Sequence, residues 1–351
     1  MWDAVVAGAG PAGAAAAQTL ARAGVRVLLA DAVSPAHKVG EALPGAALRL
    51  LQALDFPRPG PEGPHTPIRG TLSAWGSSDL VATDALRDRD GPGWRLDRSG
   101  FDASLRAAAR GSGAGWRAAG VAAMMRDGSE WTVRLTSAET FKARWLIDAT
   151  GRRAALARRL GARRLRDARL VACYAVGQAG ADRPLSRTLI EAVPNGWWYA
   201  SRLPSGAPVA GLHVGPDDAR RLATDAQAWR AALAGTRHVA ERFLPSSFES
   251  LLPPLDAGGS RLDRLTGAGW IACGDAALAF DPVSGQGILA ALHGGMMAAR
   301  AVLGTLAGDC GALTAYGSQM ERVRRAYEAQ WAEVYRNEQR WPAERFWAGR
   351  R

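Results

Sequence analysis

Gly8-Ala9-Gly10-Pro11-Ala12-Gly13 stands between a short apolar stretch, Trp2–Ala7, and a run of good helix formers, Ala14–Ala23. After Gly24 a second apolar stretch, Val25–Ala30, ends at Asp31. A glycine-rich turn that joins a buried strand to a helix and then to another buried strand restricts the chain to an α/β fold. Each position has a physical task. Gly8 permits the tight turn, Gly10 lets a diphosphate approach the backbone, and Gly13 lets helix and strand pack closely. The free N–H groups and positive dipole end of the helix favour phosphate. Asp31 comes 18 residues after Gly13, close to the ~20 at which an acid accepts ribose hydroxyls. The motif fits the ADP half that FAD and NAD share, so it leaves open which of them is held.

Further segments narrow the choice: His37–Pro44 (HKVGEALP), Arg98–Asp102 (RSGFD), Leu146–Arg152 (LIDATGR), Trp270–Ala277 (WIACGDAA) and Phe280–Ile288 (FDPVSGQGI). An apolar strand delivers Gly274-Asp275 at its carboxyl end, where α/β folds place ligands, and Asp275 could accept hydrogen bonds from sugar-like hydroxyls. Pro282 and the Gly285-Gln286-Gly287 turn then lead into an apolar helix from Ile288. Its first N–H groups could face an electron-rich ring edge.

In this order the segments resemble the FAD-dependent monooxygenase superfamily that contains p-hydroxybenzoate hydroxylase. Lys38–Pro44, Asp148–Arg164, Gly196–Tyr199 and Phe280–Ile288 are similar to a narrower group. It includes the relatives of flavin-dependent halogenases and the flavoproteins that hydroxylate a peptidyl tryptophan while quinone-cofactor enzymes mature. The resemblance spans roughly residues 1–305. It implies FAD as cofactor, with NAD(P)H or a separate electron donor as reductant. It also implies that Gly8, Gly10, Pro11, Ala12 and Gly13 hold the diphosphate and Asp31 the adenosine ribose. Lys38, Glu41 and Arg98 would lie along the cofactor and Val121 at its adenine end. Asp275 would contact the ribityl or diphosphate region, with Pro282, Gly285, Gln286, Gly287 and Ile288 bordering the isoalloxazine.

The fold implied is α/β: a Rossmann-like FAD-binding domain (1–65, 96–160 and 261–305) interleaved with a second, mostly antiparallel sheet in a substrate domain (66–95 and 161–260). A helical C-terminal segment, 306–351, completes it. Leu170–Val176 and Ala207–Val214 supply strand-like runs for the second sheet. Neighbouring residues on a strand face opposite ways, so Trp197 and Tyr199 share one face and Trp198 takes the other. The Trp197 and Tyr199 face is the candidate substrate pocket.

The activity implied is hydroxylation of an aromatic substrate through a flavin hydroperoxide, the substrate being a small molecule or a tryptophan in a peptide or protein. Two alternatives stay open: a geranylgeranyl-reductase-like reduction of a prenyl substrate, and a flavin-holding maturation partner of a client protein. Halogenases of this group resemble one another in a catalytic lysine after the GE segment and a WxWxIP motif. This chain has only Lys38 and Lys142, and reads NGWWYASRL at Asn195–Leu203. A second GxGxxG for NAD(P)H is missing; Gly111–Gly115 reads GSGAG. His37, His65, His213, His238 and His293 offer candidate bases, but no catalytic residue is singled out. The cofactor carries the oxygen chemistry and needs mainly a dry cavity.

Composition closes off other classes. Hydrophobic residues are 48% and charged residues 22%, which excludes a disordered chain. The net charge of +11 is scattered, 42 of the 44 cations being Arg, and no nucleic-acid motif accompanies it. Three widely spaced cysteines without a Cys/His cluster argue against a disulfide scaffold or a metal site. A charged leader and an uninterrupted apolar run of about 18 residues are both missing, so a cytoplasmic protein without a membrane span is expected. Tyr327, Trp331 and Tyr335 recur on one helix face that would pack on the body. Arg152–Arg169 contains eight Arg, a solvated face or a surface for an acidic partner.

Overall fold

The computed structural model describes residues 1–33, 39–178, 186–243 and 248–350. In chain order its principal elements begin with β1 (Trp2–Ala7), α1 (Pro11–Arg22), β2 (Val27–Ala30), β3 (Gly70–Ala74) and β4 (Val81–Asp84). Next come α2 (Arg98–Gly111), β5 (Gly115–Arg117), β6 (Thr140–Asp148), β7 (Val171–Gly177) and β8 (Thr188–Val193). The chain continues with β9 (Gly196–Arg202), β10 (Pro208–Val214), α3 (Pro216–Thr224), α4 (Ala226–Ala234), β11 (Trp270–Ala272), α5 (Gly287–Leu306) and α6 (Ala312–Asn337).

One sheet runs β11–β6–β1–β2–β5 with all these strands parallel. β1 occupies its middle, and Ala4–Ala7 and Val27–Ala30 are buried throughout, as expected of parallel strands covered on both faces. The chain leaves β1 for β2 on one side while β6 pairs on the other, so the Gly8–Gly13 turn opens at the point where strand order reverses. α1 and α5 pack together on one face; a Cβ on Gly295 would lie 2.0 Å from the Ala12 carbonyl oxygen. α5 is long and apolar enough to cross a membrane, but half of that apolar window is buried in the core between its neighbours.

The second sheet runs β7–β10–β9–β8–β3–β4, antiparallel except for the β3/β8 pair. Its two faces differ as the alternation predicts. Cys173, Leu189, Trp198, Leu212 and Val214 face a layer made by α3, α4 and their neighbours. Tyr174, Trp197, Ala172 and Tyr199 face the other way, toward the parallel-sheet lobe and the C-terminal aromatics. Leu212→Ala empties part of the helix-covered layer, and a loss of about 2–3 kcal/mol in urea unfolding is expected, with flavin content unchanged. A flavin loss matching the stability loss would mean the two faces are not independent.

α6 packs on the body through Tyr327 and Tyr335, both buried. The arginine-rich stretch is largely a solvated face, with Arg153, Arg158, Arg159, Arg163, Arg166 and Arg169 exposed. Arg152 and Arg164 point inward to backbone carbonyls, Arg163 pairs with Asp263, and Arg166 pairs with Asp256.

Candidate active site

β1 ends at Ala7 and the chain turns through Gly8 at φ +101°. A Cβ on Gly8 would stand 2.2 Å from the Ala149 carbonyl oxygen, and one on Gly13 would stand 1.8 Å from that of Gly8. Both positions exclude a side chain, which lets α1 start directly against the strands. Gly10 behaves differently. Nothing lies within 4 Å of where its Cβ would be, and with Pro11 and Ala12 it opens onto a cavity of about 1040 Å³. The same open space lies over Gly151, Gly285 and Gly287, which also line it. Backbone with free space above it, at the start of two helices, is a cradle for a ligand with a phosphate and a flat ring. FAD fits it.

Asp31 braces the turn. Its Oδ2 accepts the Ala9 N–H at 2.6 Å and its Oδ1 accepts that of Val33 at 3.0 Å. Gly120 sits beside Ala32, so Val121 lies at the same end of the lobe as Asp31. Among the sequence-selected residues, Gly10, Pro11, Ala12, Glu41, Arg98, Asp275, Pro282, Gly285, Gly287, Ile288, Trp197 and Tyr199 line the cavity. Gly8, Gly13, Asp31, Val121 and Gln286 support it from behind or stand apart. Lys38 lies outside the described residues.

The walls carry charge in defined places. Arg98 opens α2 and donates to the Gly40 carbonyl at 2.8 Å while pairing with Asp102 at 3.3 Å. Arg152 donates to the carbonyls of Gly258 and Phe280 and sits 3.6 Å from Asp275. Burial pushes the Asp275 carboxyl up, against the opposing pull of Arg152 and Arg164. Asp281 is buried behind the Pro282–Ser284 turn and caps it, accepting the Val283 N–H at 2.9 Å. Its other oxygen accepts Trp331 Nε1–H at 3.1 Å and the Tyr335 hydroxyl at 2.9 Å. The C-terminal helix is thereby fastened to this wall. Asp148 and Thr150 close a turn: Asp148 accepts N–H groups of Thr150, Leu156 and Ala157.

The second sheet supplies the floor, through Tyr174, Thr188, Ile190, Trp197, Tyr199 and His213. His213 and Trp197 stack at 3.7 Å and 2°. The Tyr174 hydroxyl lies 3.0 Å from His213 Nε2. Its ring covers Gly211, where a Cβ would come within 2.3 Å of it. Burial pulls the His213 imidazole down to about pKa 3, so the ring is neutral over the physiological range. Buried Arg95 donates to the Tyr199 hydroxyl at 3.1 Å and to Thr188 at 3.2 Å, and Tyr199 reaches Glu41 at 3.5 Å. The floor is thus aromatic and apolar with two phenol-centred polar stations. Sequence reasoning did not single out Tyr174, Arg95, Arg152 or Asp281, and left His213 as one of five histidines.

Comparison with known proteins agrees with this geometry. Residues 1–45 match the family described as FAD binding domain. The chain is 31% identical to the putative FAD-dependent oxidoreductase LodB of Marinomonas mediterranea, over 99% of this chain and 96% of the relative. Among solved structures it is similar to the peptidyl tryptophan dihydroxylase QhpG, essential for tryptophylquinone cofactor biogenesis. That match has a TM-score of 0.82 and 26% identity, over 99% of this chain and 78% of that one. The FAD-dependent halogenase CndH shares the fold, with a TM-score of 0.83 and 22% identity over 100% of this chain and 86% of that one.

Proposed function

The chain belongs to the FAD-dependent monooxygenase superfamily, and from that premise we propose that it hydroxylates an aromatic group, a tryptophan carried by a peptide or protein above all. The observation that carries the reading is the floor of the cavity. Four ring side chains, Tyr174, Trp197, Tyr199 and His213, face the same space as the Gly10–Ala12 and Pro282–Ile288 turns. In this reading Gly10, Pro11 and Ala12 face the diphosphate on a turn that Gly8 and Gly13 allow to close, and Asp31 and Val121 stand at the adenosine end. Glu41, Arg98 and Asp275 lie along the middle, and Pro282, Gly285, Gly287 and Ile288 border the ring, with Gln286 behind them. Reduced flavin, once bound, supplies the activated oxygen.

The protein's own part is positioning and exclusion of water. A flat aromatic substrate lies against this floor, where Tyr199 is the ring residue left partly exposed. Its N–H or O–H group meets Tyr174 or Tyr199, each already fixed by a partner. Arg95 holds the Tyr199 hydroxyl, and neutral His213 holds that of Tyr174 without adding charge to the floor. The halogenase reading lacks its lysine. Lys142 is exposed and 3.5 Å from Glu130, on strand β6 away from the cavity, and no described lysine lines the cavity.

The test follows NADPH oxidation and dissolved oxygen together in FAD-loaded protein, with tryptophan-containing peptides added or withheld. Peptide-stimulated oxygen uptake and a product heavier by one or more oxygen atoms are expected. Uptake without a heavier product rejects hydroxylation. Anaerobic reduction of a prenyl quinone or prenyl lipid would replace it with the reductase reading. Retention of a client protein with no turnover would leave a maturation partner.

A further inference from the structure

Five tryptophans and one tyrosine form a continuous aromatic file from the cavity floor to the surface of the C-terminal segment. Trp197 lines the cavity and is 1% exposed. Its Nε1–H donates to the Tyr335 hydroxyl at 3.1 Å, and that hydroxyl donates to Asp281 at 2.9 Å. Beyond Tyr335 the file divides. One branch reaches Trp331, 4.9 Å between ring centroids, which is partly exposed. The other passes Trp75 and Trp347 at 5.7 and 5.9 Å and ends at Trp341, 6.2 Å beyond Trp347. Indole and phenol side chains are among the protein groups most easily oxidised by one electron, and neighbours this close exchange electrons readily. We propose that this file is a one-electron escape route, which drains oxidising equivalents from the cavity to Trp331 at the surface when oxygen activation proceeds without an aromatic substrate in place.

The charges along the file select the branch. Trp331 and Tyr335 both rest on the Asp281 carboxylate, which stabilises positive charge developing on them. Trp341 lies 4.2 Å under the Arg340 guanidinium, which opposes it. Arg350 stands 5.6 Å over the Tyr335 ring, so Tyr335 is oxidised only by releasing its proton, and Asp281 is the acceptor already in place. The sequence of steps balances. An oxygen-centred radical in the cavity takes one electron from the Trp197 indole and leaves as its oxyanion. Tyr335 passes an electron to Trp197 and its hydroxyl proton to Asp281. Trp331 passes an electron to the Tyr335 radical, and Asp281 returns the proton. A thiolate in solution returns one electron to Trp331 and becomes a thiyl radical. Indoles and phenols give up electrons only to strong oxidants, so the route does not serve reduction of the flavin.

The inference rests on FAD occupying this cavity and not on any substrate assigned to it. The test excites bound FAD with a light flash, the excited flavin standing in for the radical as one-electron oxidant of Trp197. Transient absorption and electron paramagnetic resonance detect the radicals, and mass spectrometry maps the oxidised tryptophans. Flavin content is measured on every sample from its visible absorbance, so failure to bind FAD is seen separately. A long-lived tryptophanyl radical and oxidation at Trp331 are expected, lost in Tyr335→Phe and Trp331→Phe and retained in Trp341→Phe. Survival of the signal in Tyr335→Phe, oxidation concentrated at Trp341, or no radical in FAD-replete protein would each overturn the route. Trp331 and Trp341 are partly exposed, so that pair of variants carries the test should Tyr335→Phe fail to fold.

Discussion

Gly13→Val is expected to purify without FAD. The Cβ it adds would lie 1.8 Å from the Gly8 carbonyl oxygen and 3.2 Å from the Ala149 Cβ. The first is a contact with backbone, so no change of rotamer relieves it. α1 would have to move away from β1 and β6, yet its other flank is closed: the Ala12 carbonyl already sits where a Cβ on Gly295 would be, 2.0 Å away. Overpacking costs ~1–3 kcal/mol where side chains can give way, and a backbone clash belongs at the upper end or above it. If about 3 kcal/mol falls on the bound state, affinity drops more than ~100-fold. The measurement is the flavin-to-protein absorbance ratio after purification, followed by fluorescence titration of FAD into the apoprotein. Gly10→Ala is the control, because open space lies around its Cβ. It should fold as the parent does and weaken FAD only by intruding on the cavity. Unchanged FAD content in Gly13→Val would show that the turn does not set the cofactor site.

What could be read in the chain before its structure was known divides along sequence distance. The β1–turn–α1–β2 unit is local, so glycine spacing, apolar runs and one acid reported both its shape and its ligand class. Strand alternation at Gly196–Tyr199 correctly sent Trp197 and Tyr199 to one face and Trp198 to the other, because a period of two needs only a few residues to declare itself. Contacts between distant segments left no such mark. Tyr174 and His213 meet because β7 and β10 pair with Tyr174 opposite Gly211 and His213 opposite Ala172, and nothing near either residue announces that register. Asp281 lies within a segment read for its proline and glycines, yet its function as an anchor depends on Trp331 and Tyr335, 50 and 54 residues later. The aromatic periodicity of α6 was visible, but its target was not. Arginine density at Arg152–Arg169 suggested a surface property that six of the eight arginines have, while Arg152 and Arg164 turn inward to carbonyls that no local pattern reveals.

Acid should unfold this protein partly through one histidine, and His213→Phe should remove that part. The imidazole is buried and held to about pKa 3 against an ordinary value of 6.5. A base whose folded value is depressed binds its proton preferentially in the unfolded chain. Its contribution is therefore complete above about pH 6.5 and is lost as pH falls toward about 3. Between those limits the slope approaches ~1.4 kcal/mol per pH unit, or about 4–5 kcal/mol across the whole window, to order of magnitude. Asp281 and Asp275 act in the opposite sense, because burial raises their carboxyls and their folded forms accept protons more readily. The raw pH profile mixes these effects, whereas the difference between parent and variant isolates His213. Phenylalanine keeps a ring against Trp197 but leaves the Tyr174 hydroxyl without its nitrogen partner, a loss of about 1–3 kcal/mol at neutral pH. Urea unfolding from about pH 7.5 to about pH 4 should then show a less stable variant whose profile is flatter and converges on the parent as acid is added. Parallel profiles would mean that His213 takes up its proton in the folded protein, so that the floor of the cavity is wetter and more charged than its burial implies. The substrate surface would then be a cationic one.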